Sequence, residues 1–281
     1  MHAFDYQAPT TVAEAIQLLA KHNGTARPLA GGTDLIDQMR VGRFAPEVVI
    51  DVKKLKELNV LSVDADGLHV GAAVPCYRIY SDETVNSQYT ALADSCHIIG
   101  GIQIQSRASI GGNLCNSGPA ADSTPSMIAL GGVCVITGPD GTREVPVESF
   151  CTGPGKNVLK PGELLVEVRF PTRPANSGSH YRRMIPRNEM DIAVVGVGAS
   201  VVLDASALSD AEMAAALHDN GVNHRDLYIC HFLLQLPWQD AADALHLYLI
   251  DLHRVQIRDA TPPRWRVKDL AALHYSSLAI G

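Results

Sequence analysis

Two glycine-paired segments are the places in this sequence where the main chain could meet a charged ligand. The first is Pro28-Leu29-Ala30-Gly31-Gly32-Thr33-Asp34-Leu35, and the second runs from Gly100-Gly101 to Gly111-Gly112-Asn113. Paired glycines carry no side chain to hold a ligand away, and they accept positive φ, so several N–H groups can be aimed at one anion. A helix starting behind the first turn adds a favourable dipole. Thr33, Ser109 and Asn113 bring hydroxyl and amide groups to the same places. Neither segment is GxGxxG or GxxxxGK, so neither specifies a nucleotide fold by itself. The residues alone reach two turns suited to a phosphorylated cofactor, or two plain chain reversals. Valine at Gly32 or Gly112 is predicted to abolish such binding, by blocking backbone approach and disfavouring positive φ.

Short strands and helices must position these turns. Thr11 with Glu14 forms a capping-box pattern opening a helix to about His22, with Val12, Ala15, Ile16 and Leu19 on its apolar face. Asn23-Gly24 supplies its stop. Residues 27–29 read as a strand, 35–41 as a helix and 48–52 as a strand. Asp64-Ala65-Asp66-Gly67 and Pro139-Asp140-Gly141 read as hairpin turns between alternating runs. Residues 192–203 form a last strand, in which Gly196 and Gly198 read as packing positions. The pattern is an α/β or α+β half.

Composition narrows the function. A hydrophobic fraction of 46% and a charged fraction of 19% suit a globular chain with a core. A formal net charge of −7 argues against a nucleic-acid partner. No cationic start followed by an apolar run opens the chain, and no apolar run reaches bilayer length, so a cytoplasmic protein with no membrane partner is expected. The six cysteines contain no CxxC pair, which reads as reduced buried thiols, with no metal held by this chain. Of 23 glycines only Gly221 and Gly281 lie beyond residue 205, whereas both tryptophans and six of eleven histidines do. A junction is expected near 205–210.

Four motifs carry a resemblance over about residues 4–202. They are PLAGGTDL at 28–35, QIQSRASIGGNLCNSGPAADSTP at 103–125, GELLVEVRFP at 162–171 and YRRMIPRNEMDIAVVGVGA at 181–199. Together they resemble the FAD-binding medium subunit of the xanthine dehydrogenase and carbon monoxide dehydrogenase family of molybdenum hydroxylases. The resemblance implies an FAD-binding region of two α/β subdomains at 1–175, and the start of an α+β domain at 176–205. It implies that Leu29, Ala30, Gly31, Gly32, Thr33, Asp34, Leu35 and Ile36, with Ser109, Ile110, Gly111, Gly112 and Asn113, bind the FAD diphosphate and nearby groups. It places Ile99 and Leu165 against the flavin, although both also suit an ordinary core. Asp122 is implied to hydrogen-bond the cofactor, or it caps a helix. Arg183 matches a basic cofactor-binding position. The implied partners are a molybdopterin-binding large subunit and a two-iron two-sulfur small subunit, with NAD or another acceptor taking the electrons.

The tail departs from this pattern. HDNGVNHRDLYICHFLLQLP at 218–237, LYLIDLHRVQIR at 247–258 and PPRWRVKDLAALHYSSLAIG at 262–281 resemble the C-terminal lobe of a lipopolysaccharide core heptose kinase. That resemblance sets a truncated kinase-like segment at 211–281. Asp226, within His224-Arg225-Asp226, would orient or deprotonate an acceptor hydroxyl, and Asp251 would hold a metal. His231 stands where protein kinases place a magnesium-binding asparagine. Nothing upstream supplies a glycine-rich ATP lobe, so a catalytically silent graft is expected, with an active sugar kinase or an inactive fusion product as the alternatives.

Overall fold

The computed structural model describes residues 1–175, 177–187, 190–202 and the strand at 245–250. The chain opens with β1 (Asp5–Gln7), α1 (Val12–Lys21), β2 (Ala26–Leu29), α2 (Leu35–Arg40) and β3 (Val48–Asp51). The strands make a parallel sheet of order β1-β3-β2. Helix α1 starts where Thr11 accepts the amide of Glu14 at 3.2 Å. The Glu14 carboxylate reaches back one residue further than a reciprocal box requires, to the Thr10 amide at 2.9 Å. Ala15, Ile16 and Leu19 are buried, and Asn23 and Gly24 end the turn with φ of 32° and 91°.

The hairpin at 64–67 joins β4 (Leu61–Val63) to β5 (Gly67–Gly71). A run of short helices follows: α3 (Cys76–Ser81), α4 (Glu83–Gln88), α5 (Thr90–Ile98), α6 (Ile102–Gln105), α7 (Ile110–Asn116) and α8 (Ser123–Ala129). The second hairpin joins β6 (Val133–Gly138) to β7 (Gly141–Pro146), and α9 (Val147–Phe150) leads to β8 (Cys151–Gly153) and β9 (Lys156–Asn157). Strand β10 (Leu164–Pro171) then returns to the middle of a five-stranded antiparallel sheet of order β4-β5-β10-β6-β7. A bulge between Leu165 and Glu167 breaks its register against β6. Consecutive leucines, Leu164 and Leu165, are both buried on this strand.

Strands β11 (Ser177–Met184), β12 (Val195–Val202) and β13 (Leu245–Ile250) form a third, antiparallel sheet with β12 central. Gly196 lies against the Tyr181 hydroxyl and Gly198 against the main chain of Pro125, which accounts for both glycines as packing positions. The mixed α/β architecture agrees with the expected fold class. The segment at 100–113 is not the single turn its glycines suggest: Gly100 bends with φ of 54°, and a turn at 106–107 joins two helices. It forms α6 and α7, because Ser109 caps α7 by accepting the Gly112 amide at 3.1 Å, and Gly111 lets the helix settle on Ala72.

Candidate cofactor-binding site

A cavity of about 600 Å³ lies between the two glycine segments, within the range of small-molecule sites. Ala30, Gly31, Gly32, Thr33, Asp34 and Leu35 line it from the first segment, and Ser109, Gly111, Gly112 and Asn113 from the second. Ile99 and Leu165 line it too, although each is also buried. The lining does not include Leu29, Ile36, Ile110, Asp122 or Arg183. Leu29 and Ile36 instead brace the bend, since a Cβ at Gly32 would sit 2.9 Å from one and 3.4 Å from the other. Ile110 is fully buried in the core.

The bend at Gly32 has φ of 77°, the conformation that favours glycine. Among the described residues, the main-chain N–H groups of Gly32, Thr33 and Asp34 donate to no protein acceptor. Helix α2 spans only six residues, so its dipole is small and these amides are the main electrostatic contribution of the turn. The second segment behaves differently. The Gly112 amide is taken by Ser109, the Asn113 amide by the Ser109 carbonyl at 2.9 Å, and the Asn113 Oδ1 by the Ser123 hydroxyl at 2.7 Å. Gly112 is helical, not left-handed, so the positive φ expected at both glycines is present at Gly32 and absent at Gly112.

Asp122 does not cap α8 with its side chain, although it occupies the N-cap position. Its carboxylate accepts from the Tyr181 hydroxyl at 2.8 Å and from Arg183 Nη1 at 3.0 Å. Burial pushes the Asp122 carboxyl up, while Tyr181 and Arg183 pull against it. The Arg183 side chain is 3% exposed, and its Nε is buried without a partner.

Several further residues line the cavity, and of them only Asn116 and Glu163 fall within the four motifs. Arg27, Gln38, Arg43, Phe44, Asn116 and Glu163 all face the cavity. Gln38 Nε2 donates to Asn116 Oδ1 at 2.9 Å, tying the C-terminal ends of α2 and α7 together. Arg143 grips Glu163 with two bonds of 2.8 and 2.7 Å and holds its carboxyl below the usual range. The wall therefore presents two arginines, Arg27 and Arg43, while its glutamate is already paired. Unpaired amides, cationic side chains, apolar lining residues and this volume together fit a dinucleotide. Asp226, Asp251, His224, Arg225 and His231 lie outside the described residues. Among the described residues no group of three or more His, Cys, Asp or Glu is placed to hold a metal ion, and no helix is long and apolar enough to cross a membrane.

Residues 2–173 match the family model for the FAD binding domain in molybdopterin dehydrogenase. The xanthine dehydrogenase FAD-binding subunit of Escherichia coli O157:H7 is 35% identical over 211 residues, covering 74% of this chain and 72% of that protein. The fold is similar to that of carbon monoxide dehydrogenase from Hydrogenophaga pseudoflava, with a TM-score of 0.73 and 25% identity over 85% of this chain and 89% of that one. Residues 206–281 match the lipopolysaccharide kinase (Kdo/WaaP) family. Over 71 residues this segment is 61% identical to lipopolysaccharide core heptose(I) kinase of Pseudomonas aeruginosa, of which it covers 26%. The chain thus belongs to the FAD-binding subunits of the molybdenum hydroxylases, an oxidoreductase family, and its cofactor is FAD.

Proposed function

We propose that the chain passes electrons from a two-iron two-sulfur subunit to NAD or another acceptor, within a complex whose molybdopterin-binding large subunit hydroxylates the substrate. The observation that supports this best is the joining of both glycine segments on the wall of one cavity, with unpaired amides on the first. When bound, FAD supplies the exchange between one-electron and two-electron traffic. The chain's own residues bind, orient and shield it. Gly32, Thr33 and Asp34 present amides to the diphosphate, with Ala30, Gly31, Leu35, Ser109, Gly111, Gly112 and Asn113 around them. Leu29, Ile36 and Ile110 support these segments from behind. Ile99 and Leu165 form the apolar wall for the flavin ring and exclude water from it. Asp122 and Arg183 act together with Tyr181, as a buried network that fixes β11 next to α8. The FAD-binding region is assigned to 1–175, the start of the following domain to 176–205 and the kinase-like segment to 211–281, in a cytoplasmic protein.

The direct test is anaerobic. The FAD-loaded chain, mixed with a reduced iron–sulfur subunit of its own complex, is expected to lose its flavin absorption band and regain it when NAD or the native acceptor is added. A flavin band that stays oxidised beside the reduced iron–sulfur subunit would overturn the reading.

The kinase-like segment is proposed to be silent, because the residues before it belong to the flavoprotein and not to an ATP-gripping lobe. Incubation with labelled ATP and a heptose-bearing acceptor is expected to give no more transfer than Asp226→Ala. Transfer above that control would establish an active kinase.

A further inference from the structure

We infer that Arg43 and Phe44 form the subsite for the adenylate half of the dinucleotide, and that this pair makes the chain take FAD in preference to FMN. The inference rests on the FAD assignment and deepens it. Both residues line the cavity but belong to neither glycine segment. Phe44 is half-buried, and the guanidinium of Arg27 stands 4.9 Å from its ring centroid. Arg27 is held there by bonds from its Nη1 to the carbonyls of Gly24 and Ala26, each 3.1 Å, so the ring has a fixed backing. Arg43 is exposed and lies 5.8 Å from the same ring. Among the described residues its guanidinium makes no hydrogen bond or ion pair. Gly155, with φ of 68°, leaves it room, since a Cβ there would come within 3.3 Å of Arg43 Nη2.

The position along the cavity selects the adenylate half. The glycine segments stand at the N-terminal ends of α2 and α7, and the Gln38–Asn116 bond marks the C-terminal ends. The Arg43 amide donates to the Gln38 carbonyl at 2.8 Å, so the Arg43-Phe44 turn sits at that far end. Seven residues of α7 separate the two ends by about 10 Å, roughly the reach of a nucleoside from its phosphate. Ile99, at the end of α5, and Leu165, on β10, belong to neither α2 nor α7 and bring apolar side chains to the wall. A ligand with its diphosphate at the glycine segments and its flavin on the apolar wall would have its second base at Phe44. An aromatic face accepts a base by stacking, and a free guanidinium offers its donors to a phosphate.

The test compares FAD and FMN binding to the full chain by flavin fluorescence, for the wild type, Arg43→Gln and Phe44→Ala. Each variant is expected to weaken FAD about tenfold or more, the scale of a lost base–aromatic contact, and to leave FMN within about twofold. Circular dichroism checks the fold, and the exposed Arg43→Gln keeps the test available if Phe44→Ala does not fold. FAD affinity unchanged in Arg43→Gln, or FAD and FMN weakened in parallel, would refute the subsite and leave the FAD assignment intact. A wild-type chain that takes up neither flavin would refute both.

Discussion

A Cβ on Gly31 would stand 2.1 Å from the main-chain oxygen of Arg107. The two glycine segments, 76 residues apart, therefore meet backbone to backbone, and Arg107 Nε returns a bond to the Gly31 carbonyl at 3.1 Å. Gly31→Ala is expected to push the segments apart, lowering stability by about 1–3 kcal/mol and reducing the flavin retained on purification. Denaturant unfolding and the flavin-to-protein ratio check it. Wild-type values for both would show that the contact tolerates a methyl group.

Gly112 separates packing from ligand approach. Its conformation is helical, and an added Cβ meets only the Ser109 Oγ, at 3.1 Å. Gly112→Ala is expected to keep stability within about 1 kcal/mol of wild type, since alanine favours a helix and the contact is slight. The methyl group still intrudes on the cavity wall, so FAD affinity is expected to fall by about tenfold, the effect of 1.4 kcal/mol. Titration of the folded variant reads this directly. Unchanged affinity would remove Gly112 from the ligand-facing wall.

The Asp122–Arg183 pair predicts a large penalty when one partner is lost. Asp122→Leu leaves the guanidinium of Arg183 buried without its counter-charge, at a cost of about 3–5 kcal/mol. Adding Arg183→Met should recover much of that loss, and Tyr181→Phe should cost about 1–2 kcal/mol. Two single substitutions whose effects simply add in the double variant would rule out the coupling.

Glu163 predicts a pH dependence. The Arg143 hydrogen bonds hold its carboxyl below the ordinary value of 4.5. A carboxyl depressed in the folded state stabilises most above its unfolded pKa and loses that contribution as pH falls through the folded value. Glu163→Gln is expected to cost about 1–2 kcal/mol at neutral pH. The gap from wild type should narrow as pH drops below about 4.5. Stability curves at several pH values check the sign, and a gap that widens in acid would contradict it.

Local chemistry was legible in the sequence, and long-range placement was not. The Thr11 cap and the hairpins at 64–67 and 139–141 depend on neighbours a few residues away. The return of β10 between β5 and β6 depends on contacts from distant parts of the chain. The bonds to Asp122 come from 59 and 61 residues away, so the network around a residue read as a cofactor contact or a helix cap was not legible in the sequence. Gly111-Gly112 reads as a turn until Ser109 and Ala72 show why it is helical. Arg43 and Phe44 carry no periodic or motif signal, and only the cavity connects them to the glycine segments.

Whether the glycine segments hold the FAD diphosphate is decided by a crystal structure of the full chain with FAD. The diphosphate oxygens are expected within hydrogen-bond distance of the Gly32, Thr33 and Asp34 amides, and the flavin ring against Ile99 and Leu165. FAD bound elsewhere, with those amides facing solvent or protein, would contradict that placement.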